Sequence, residues 1–194
     1  MAKKITVKDL LANTHLNLVA GEEYLDREIT TADISRPGLE MTGYFNYYAP
    51  ERVQLMGITE TSFAHRMNHD ELLMVARKMM QPNTPAFVVS TGRQLPEEFM
   101  QAAIEAKIPV LATDLTSSRI LSNMTYFLSG GLAERQSVHG VLVDIFGLGV
   151  LITGDSGVGK SETALELVQR GHRLIADDRV DVYAQDEERL VGEP

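Results

Sequence analysis

One stretch of eight residues constrains the fold of this chain more than any other. Gly154-Asp155-Ser156-Gly157-Val158-Gly159-Lys160-Ser161 fits the phosphate-binding loop pattern of Gly, four residues, Gly, Lys and Ser or Thr. An apolar, strand-like run at 150–153 leads into it, and a helical pattern follows from 162 to 170 and closes at Gly171. A strand that passes through such a loop into a helix indicates a nucleotide-binding α/β domain.

The residue types in this loop suit a polyphosphate. Glycines at 154, 157 and 159 let the backbone turn tightly enough to point successive N–H groups inward, at the positive end of a helix dipole. Lys160 adds a mobile cation for the β and γ phosphates, and the Ser161 hydroxyl can bind Mg²⁺. We therefore expect residues 154–161 to bind the phosphates and Ser161 to contact the metal.

Further groups with possible chemistry lie close to the loop in sequence. An apolar run at 172–176 ends in Asp177 and Asp178. Strands that neighbour a phosphate loop deliver acids toward the metal and the γ-phosphate, so one acid could bind Mg²⁺ while the other accepts a proton. Because side chains alternate along a strand, we expect only one of the pair to point into the site. The alternative for the pair is a simple turn. His139 could reach the phosphates or could be structural.

The pattern along the chain predicts an α/β fold with two parts. Residues 1–132 alternate strand-like and helix-like segments, which predicts a small α/β domain with a largely parallel sheet covered by helices. Strands are expected at 16–20, 53–58, 86–90 and 109–112, and helices at 70–80, 96–106 and 116–128, with a capping box at 6–9. Ser129-Gly130-Gly131 is interpreted as a helix stop and linker, since paired glycines are costly within helices. Residues 133–194 would then begin the phosphate-loop domain, with 141–145 and 150–153 as a hairpin or a close-packed strand pair.

Three features of residues 1–132 admit a functional interpretation beside a structural one. His65 and His69 could share a helix face as metal ligands, but no carboxylate completes the set, which favours ordinary surface histidines. The aromatic run 44–48 lacks the interleaved cations of a base-stacking platform, so packing or a subunit contact is favoured. Arg36, in the sequence Ser35-Arg36-Pro37-Gly38, could bind an anion, although a turn explains the segment as well.

Composition excludes several classes of protein. The 27 acidic and 18 basic residues give a net charge of −9, which disfavours general binding to nucleic acid or to acidic membranes. No cysteine is present, so disulfide, thiol and zinc-ribbon chemistry is excluded. The N-terminus lacks the apolar stretch of a signal peptide, and the longest apolar run, 145–152, falls well short of the roughly 18 residues of a membrane span. These features predict a cytoplasmic protein.

The sequence is similar to a known family from end to end. The stretch 138–178, with its loop GDSGVGKS and the pair Asp177-Asp178, resembles the bacterial HPr kinase/phosphorylases. Residues 33–40 (DISRPGLE) and 43–45 (GYF) resemble the N-terminal domain of that family. The resemblance implies phosphorylation of a serine of the phosphocarrier protein HPr with ATP or pyrophosphate, and phosphate-dependent removal that yields pyrophosphate. This activity would regulate carbon catabolite repression.

The resemblance also implies residue roles. Residues 154–161 would bind the nucleotide, Ser161 would contact Mg²⁺, and Lys160 and His139 would belong to the active site. Asp178 would be the general base for the seryl hydroxyl and the general acid in phosphorolysis. A homohexamer is the oligomer that the family implies.

The family continues beyond Pro194, so we expect a C-terminally truncated kinase domain whose second Mg²⁺ ligand lies further on.

A small-molecule kinase or a regulatory ATPase would use the same loop. A non-catalytic nucleotide- or phosphate-binding sensor or assembly module is the alternative from a different class.

Overall fold

The computed structural model describes residues 4–194, and residues 1–3 lie outside the described range. The chain divides into two compact units, residues 4–132 and residues 133–194. Among residues 4–194, no helix combines the length and the apolar character needed to cross a membrane. Each unit is α/β, as the sequence patterns predict.

The first unit contains five helices and seven strands. In chain order they are β1 (Ile5–Thr6), α1 (Val7–Asn13), β2 (Asn17–Ala20), β3 (Glu28–Ile29), β4 (Ile34–Ser35), β5 (Val53–Met56), α2 (Ile58–Ala64), α3 (His69–Met79), β6 (Phe87–Val89), α4 (Glu97–Ala106), β7 (Val110–Ala112) and α5 (Ser117–Leu132). Short 3₁₀ turns lie at Glu22–Tyr24 and Glu40–Thr42. The predicted elements are all present, and the capping box at Thr6 and Asp9 is confirmed.

The main sheet of this unit is largely parallel, as predicted. Its order is β2-β7-β6-β5-β4, in which β4 to β7 are parallel and β2 pairs antiparallel with β7. One face packs against α3 and α4 through residues such as Leu72, Met79 and Phe99, and the other packs against α1 and α5 through residues such as Ile120 and Met124. The completely buried strands explain the continuous apolar runs in the sequence.

The second unit contains one helix and six strands. They are β8 (Gln136–His139), β9 (Val141–Ile145), β10 (Leu148–Ile152), α6 (Lys160–Gln169), β11 (Arg173–Ala176), β12 (Arg179–Ala184) and β13 (Leu190–Glu193). One sheet has the order β10-β9-β11 and the other β13-β12-β8, and every pairing is antiparallel. The predicted strand pair is a hairpin, whose turn residues Phe146 and Gly147 both have positive φ, as a type I′ turn requires.

The predicted linker at 129–131 is wrong. Helix α5 continues through both glycines to Leu132. A Cβ atom at Gly131 would lie 2.9 Å from Ile5 Cδ1, so the missing side chain lets the helix pack closely on the start of the chain. Tertiary packing therefore outweighs the intrinsic preference of paired glycines to end a helix.

Each of the three ambiguous features of this unit includes a residue with a structural partner. His65 follows the end of α2 and His69 begins α3, so the two do not share a helix face, and His69 Nδ1 lies 2.8 Å from Glu98 Oε1. Phe45 packs edge-on against Tyr48, whose hydroxyl donates to the Met79 carbonyl, whereas Tyr47 is 88% exposed. The packing interpretation thus fits two members of the aromatic run.

Arg36 binds a carboxylate within the unit. Its guanidinium donates to Glu60 Oε2 at 3.1 Å, and the same oxygen accepts the Gly57 N–H at 2.8 Å. Glu60 is only 5% exposed, so its carboxylate needs both hydrogen bonds to offset the cost of burying its charge. The Arg36–Glu60 hydrogen bond therefore links the segment after β4 to the first turn of α2.

We expect Glu60→Ala to lower the free energy of unfolding by about 1–3 kcal/mol, because the buried Gly57 N–H loses its acceptor. Urea unfolding followed by circular dichroism measures this change. Glu23→Ala is the matched control, since Glu23 is exposed and its side chain makes no hydrogen bond within residues 4–194. Equal stabilities of the two variants would contradict the assigned role of Glu60.

Helices α3 and α4 are joined by a bidentate ion pair between Arg77 and Glu105, with both N···O distances at 2.9 Å. The hydrogen bonds from Arg77, and then from Gln101, lower the pKa of Glu105 to about 2 from its ordinary value of 4.5. The stabilisation by this ion pair is therefore complete above the pKa that Glu105 has in the unfolded chain. It is lost as the pH falls through the lower pKa that Glu105 has in the folded chain.

We expect Glu105→Gln to weaken the dependence of stability on pH between about 4.5 and 2, because the variant has no carboxylate to protonate there. Urea midpoints measured across this range test it. Glu51→Gln, at an exposed position without a hydrogen-bond partner in residues 4–194, should retain the full dependence. Parallel curves for Glu105→Gln and the unmodified chain would refute the assignment.

Candidate functional site

The topology of the second unit brings three segments to one edge of its sheet. Strands β10 and β11 both run antiparallel to β9, which lies between them, so both end where β9 begins. The phosphate loop follows β10, Asp177 and Asp178 follow β11, and His139 lies just before β9. Groups from three separate parts of the chain therefore meet at this edge.

These groups line a single cavity of about 200 Å³. Its lining includes every catalytic residue that the sequence predicts, namely His139, Lys160 and Asp178, and it includes Ser161 and Asp177 as well. From the loop itself it includes Ser156, Gly157 and Gly159, whereas Gly154, Asp155 and Val158 do not line it. The structure thus brings the predicted catalytic residues together.

The loop has the conformation that its glycines permit. Gly157 and Gly159 have φ values of 82° and 96°, a region that a side chain would disfavour. Helix α6 begins at Lys160, so its N-terminal N–H groups face the loop. The Lys160 ammonium donates to the carbonyls of Gly154 and Asp155, both at 2.8 Å, and so crosses the loop.

The two acids make different contacts. Asp177 Oδ1 accepts the Asp178 backbone N–H at 2.9 Å and lies 3.5 Å from the Ser161 hydroxyl, which is long for a hydrogen bond. The Asp178 carboxylate has no hydrogen-bond partner within residues 4–194. One acid therefore lies beside the serine of the loop, and the carboxylate of the other makes no hydrogen bond in this part of the chain.

Both acids contribute to the lining of the cavity, whereas the sequence predicts that only one of the two side chains points into the site. The reason is the backbone of Asp178, which has a φ of 70° and is not extended. The alternation of side chains along a strand ends at Ala176, the last residue of β11.

His139 is held by the same turn. Its Nδ1 lies 2.8 Å from the Asp178 carbonyl oxygen, which also accepts the Gly140 N–H at 3.2 Å. A carbonyl can only accept, so Nδ1 carries the proton and Nε2 is left for other partners. The His139 ring is thus joined to Asp178 by a hydrogen bond to its backbone oxygen.

Two contributors were missed from the sequence. A Cβ at Gly140 would lie 2.7 Å from the Ile152 carbonyl, so glycine is needed for β9 to begin close to the end of β10. Glu162, in the first turn of α6, also lines the cavity. A lone glycine before a strand and an acid in a helix carry no distinctive spacing that would reveal these roles.

The oxygens of Ser161 and Asp177 suit Mg²⁺, which commonly takes one or two protein oxygens together with phosphate oxygens and water. Within residues 4–194, no group of three or more acidic, histidine or cysteine side chains is placed to hold a metal by itself. Ser161 and Asp177 could therefore supply only part of the coordination of a metal here.

We expect neutral His139 to carry its proton on Nδ1, because the Asp178 carbonyl accepts that hydrogen. Long-range ¹⁵N–¹H correlation spectra of the imidazole ring distinguish the two tautomers, and His139→Ala assigns the signals. A ring protonated only on Nε2 would contradict the contact.

Comparison with known proteins covers both units. The family model for the HPr Serine kinase N terminus matches residues 5–128, and that for the HPr Serine kinase C-terminal domain matches residues 130–194. A solved structure entitled "Structure of the Hpr(Ser) kinase/phosphatase from Coxiella burnetii" is 44% identical over a match that covers 29% of this chain and 37% of that chain, with a TM-score of 0.27.

Curated relatives are similar over nearly the whole chain. The HPr kinase/phosphorylase of Levilactobacillus brevis is 69% identical over 99% of this chain, and that of Lactiplantibacillus plantarum is 69% identical over all of it. The match spans 62% of the length of each of these relatives. From both family matches and these identities, the chain belongs to the HPr kinase/phosphorylase family.

Proposed function

We propose that this chain carries the phosphoryl-transfer site of an enzyme that phosphorylates a serine of HPr with ATP or pyrophosphate. The same site removes the phosphate with inorganic phosphate and so forms pyrophosphate. The observation that carries the proposal is the single cavity that holds the phosphate loop, His139 and both acids. The names of the relatives agree with it.

The phosphoryl donor binds at residues 154–161. The N–H groups of the loop and of the first turn of α6 hold the phosphate oxygens. The Lys160 ammonium leaves the carbonyls of Gly154 and Asp155 to contact the β and γ phosphates. A loop that binds phosphates through its backbone can hold either pyrophosphate or a nucleotide, which suits a reversible enzyme.

Ser161 and Asp177 would hold Mg²⁺ in this proposal. When bound, the ion neutralises charge on the phosphates. The role of the chain is to keep the two oxygens together, and the Asp178 N–H that bonds Asp177 Oδ1 contributes to this.

Asp178 exchanges the proton. In the forward direction the seryl oxygen forms a bond to the terminal phosphorus, the bond from that phosphorus to the leaving phosphate breaks, and the hydroxyl proton passes to the Asp178 carboxylate. In the reverse direction a phosphate oxygen attacks the phosphoserine, and Asp178 returns the proton to the departing seryl oxygen. His139 positions this acid through the Asp178 carbonyl.

HPr is the protein substrate in this proposal, and a homo-oligomer, a hexamer by family resemblance, is the working assembly. We place the activity in the cytoplasm, where it would regulate carbon catabolite repression. The absence of cysteine agrees with that compartment.

We expect Lys160→Ala to reduce the transfer of labelled γ-phosphate from Mg-ATP to HPr by about 100-fold or more, because a cation on the transferred group is lost. Asp178→Asn should reduce transfer by about 100-fold or more but retain nucleotide binding. The assay uses this chain and the full-length Levilactobacillus brevis relative with the matching changes. Filter-bound radioactivity reports transfer, and a fluorescent ATP analogue reports binding.

Lys8→Ala is the matched control, because Lys8 is an exposed lysine in the other unit. The proposal is supported if the full-length protein transfers phosphate to HPr and the change that corresponds to Lys160→Ala abolishes this transfer. This holds whether or not the present chain transfers phosphate alone. Nucleotide binding without transfer by either protein would overturn it and favour a non-catalytic sensor.

A further inference from the structure

The unit formed by residues 4–132 has a large polar cavity to which no role is attached. Its volume is about 730 Å³, within the range of about 300–1,000 Å³ that is usual for small-ligand sites. The side chains that matter for its chemistry are His15, Asn17, Asp114, Arg119 and Asn123. The cavity therefore offers charged and amide groups in a space large enough for a small metabolite.

The cavity lies at the carboxyl end of β7, beside the start of β2. Helix α4 leads into β7 from one face of the sheet, and α5 leaves β7 on the opposite face. The connection thus changes face at the carboxyl end of β7. In open α/β sheets, ligands commonly bind at the carboxyl ends of the strands, and residues 113–115, which follow β7, line this cavity.

The base of the cavity is held by backbone hydrogen bonds. Thr113 is 4% exposed, its N–H donates to the Val89 carbonyl and its own carbonyl accepts the Gly92 N–H, both at 3.0 Å. Its hydroxyl accepts the Leu115 N–H at 3.2 Å. Asn17 begins β2, opposite Ala112 of β7. Backbone hydrogen bonds therefore fix the end of β7 and the residues that follow it, while Arg119 and Asn123 belong to α5.

The charges of the cavity are one cation and one anion. Arg119 lies in the first turn of α5, and its exposed guanidinium has no ion pair or hydrogen bond within residues 4–194. The Asp114 carboxylate likewise has no hydrogen bond in this part of the chain. A guanidinium matches a carboxylate through two parallel hydrogen bonds, and the positive end of the α5 dipole adds to the attraction.

Asp114 limits which anions fit. A phosphate monoester carries nearly two negative charges at neutral pH, and a single guanidinium would leave one of them beside this carboxylate. A singly charged carboxylate avoids that repulsion. Asp114 and the amides of Asn17 and Asn123 are then available to hydroxyl or amino groups of the same molecule.

We propose that this cavity binds a small carboxylate that also carries hydroxyl or amino groups, with Arg119 on the carboxylate and Asp114 on the amino or hydroxyl donor. The site is separate from the phosphate loop and does not depend on the proposed transfer reaction. It assigns a binding role to the first unit.

The test is a titration of the ¹⁵N-labelled chain with L-lactate, L-serine and glycerol 3-phosphate, followed by amide chemical shifts. We expect both carboxylates to shift the amides of residues 14–17, 113–119 and 123. Arg119→Gln should weaken this binding about tenfold or more. Arg66→Gln, which changes an exposed arginine whose side chain makes no ion pair within residues 4–194, should leave it unchanged.

Asp114→Asn should weaken serine binding more than lactate binding, because only serine carries an ammonium group. No shift at these residues with either carboxylate, or equal effects of the two arginine changes, would overturn the site. Localised binding of glycerol 3-phosphate in place of both carboxylates would overturn the assigned ligand class. Signals of residues 154–161 act as an internal reference, since a phosphate that binds only there has no bearing on this cavity.

Discussion

The central position of β9 is the constraint on which the candidate transfer site depends. Because β10 and β11 are both antiparallel to β9, the residues that follow them and the residues that precede β9 must meet at one edge. Gly140 allows the start of β9 to lie close to the end of β10, since the Ile152 carbonyl occupies the space that a side chain at residue 140 would need. The hydrogen bonds of the Asp178 carbonyl with His139 and Gly140 then join the turn after β11 to the start of β9.

The first unit follows a different plan. Its parallel strands are covered on both faces, which requires connections that cross from one end of the sheet to the other. The carboxyl ends of four strands consequently lie along one edge, where the Arg36–Glu60 pair and the polar cavity are both found. The candidate sites of the two units thus lie at strand ends for the same reason, because backbone pairing ends there and side chains can face a ligand.

Much of this arrangement could be predicted from the sequence. The apolar runs and helical periods located the elements of the first unit because buried parallel strands and amphipathic helices leave strong patterns. The loop at 154–161 was recognisable because its chemistry requires particular residues at particular spacings. The end of α5 was not predictable, because Gly130 and Gly131 favour a break locally and only packing against Ile5 makes the helix continue.

The sequence by itself determined that residues 154–161 form a loop between a strand and a helix, with the spacing that phosphate binding requires, since glycine conformation and the reach of Lys160 are local properties. It also placed Asp177 and Asp178 at the end of a strand. Only the tertiary structure decided that both acids line the cavity, that His139 bonds the Asp178 carbonyl, and that Asp177 lies beside Ser161. These relations depend on strand order and on the positive φ of Asp178, and neither is encoded in the spacing of residues along the chain.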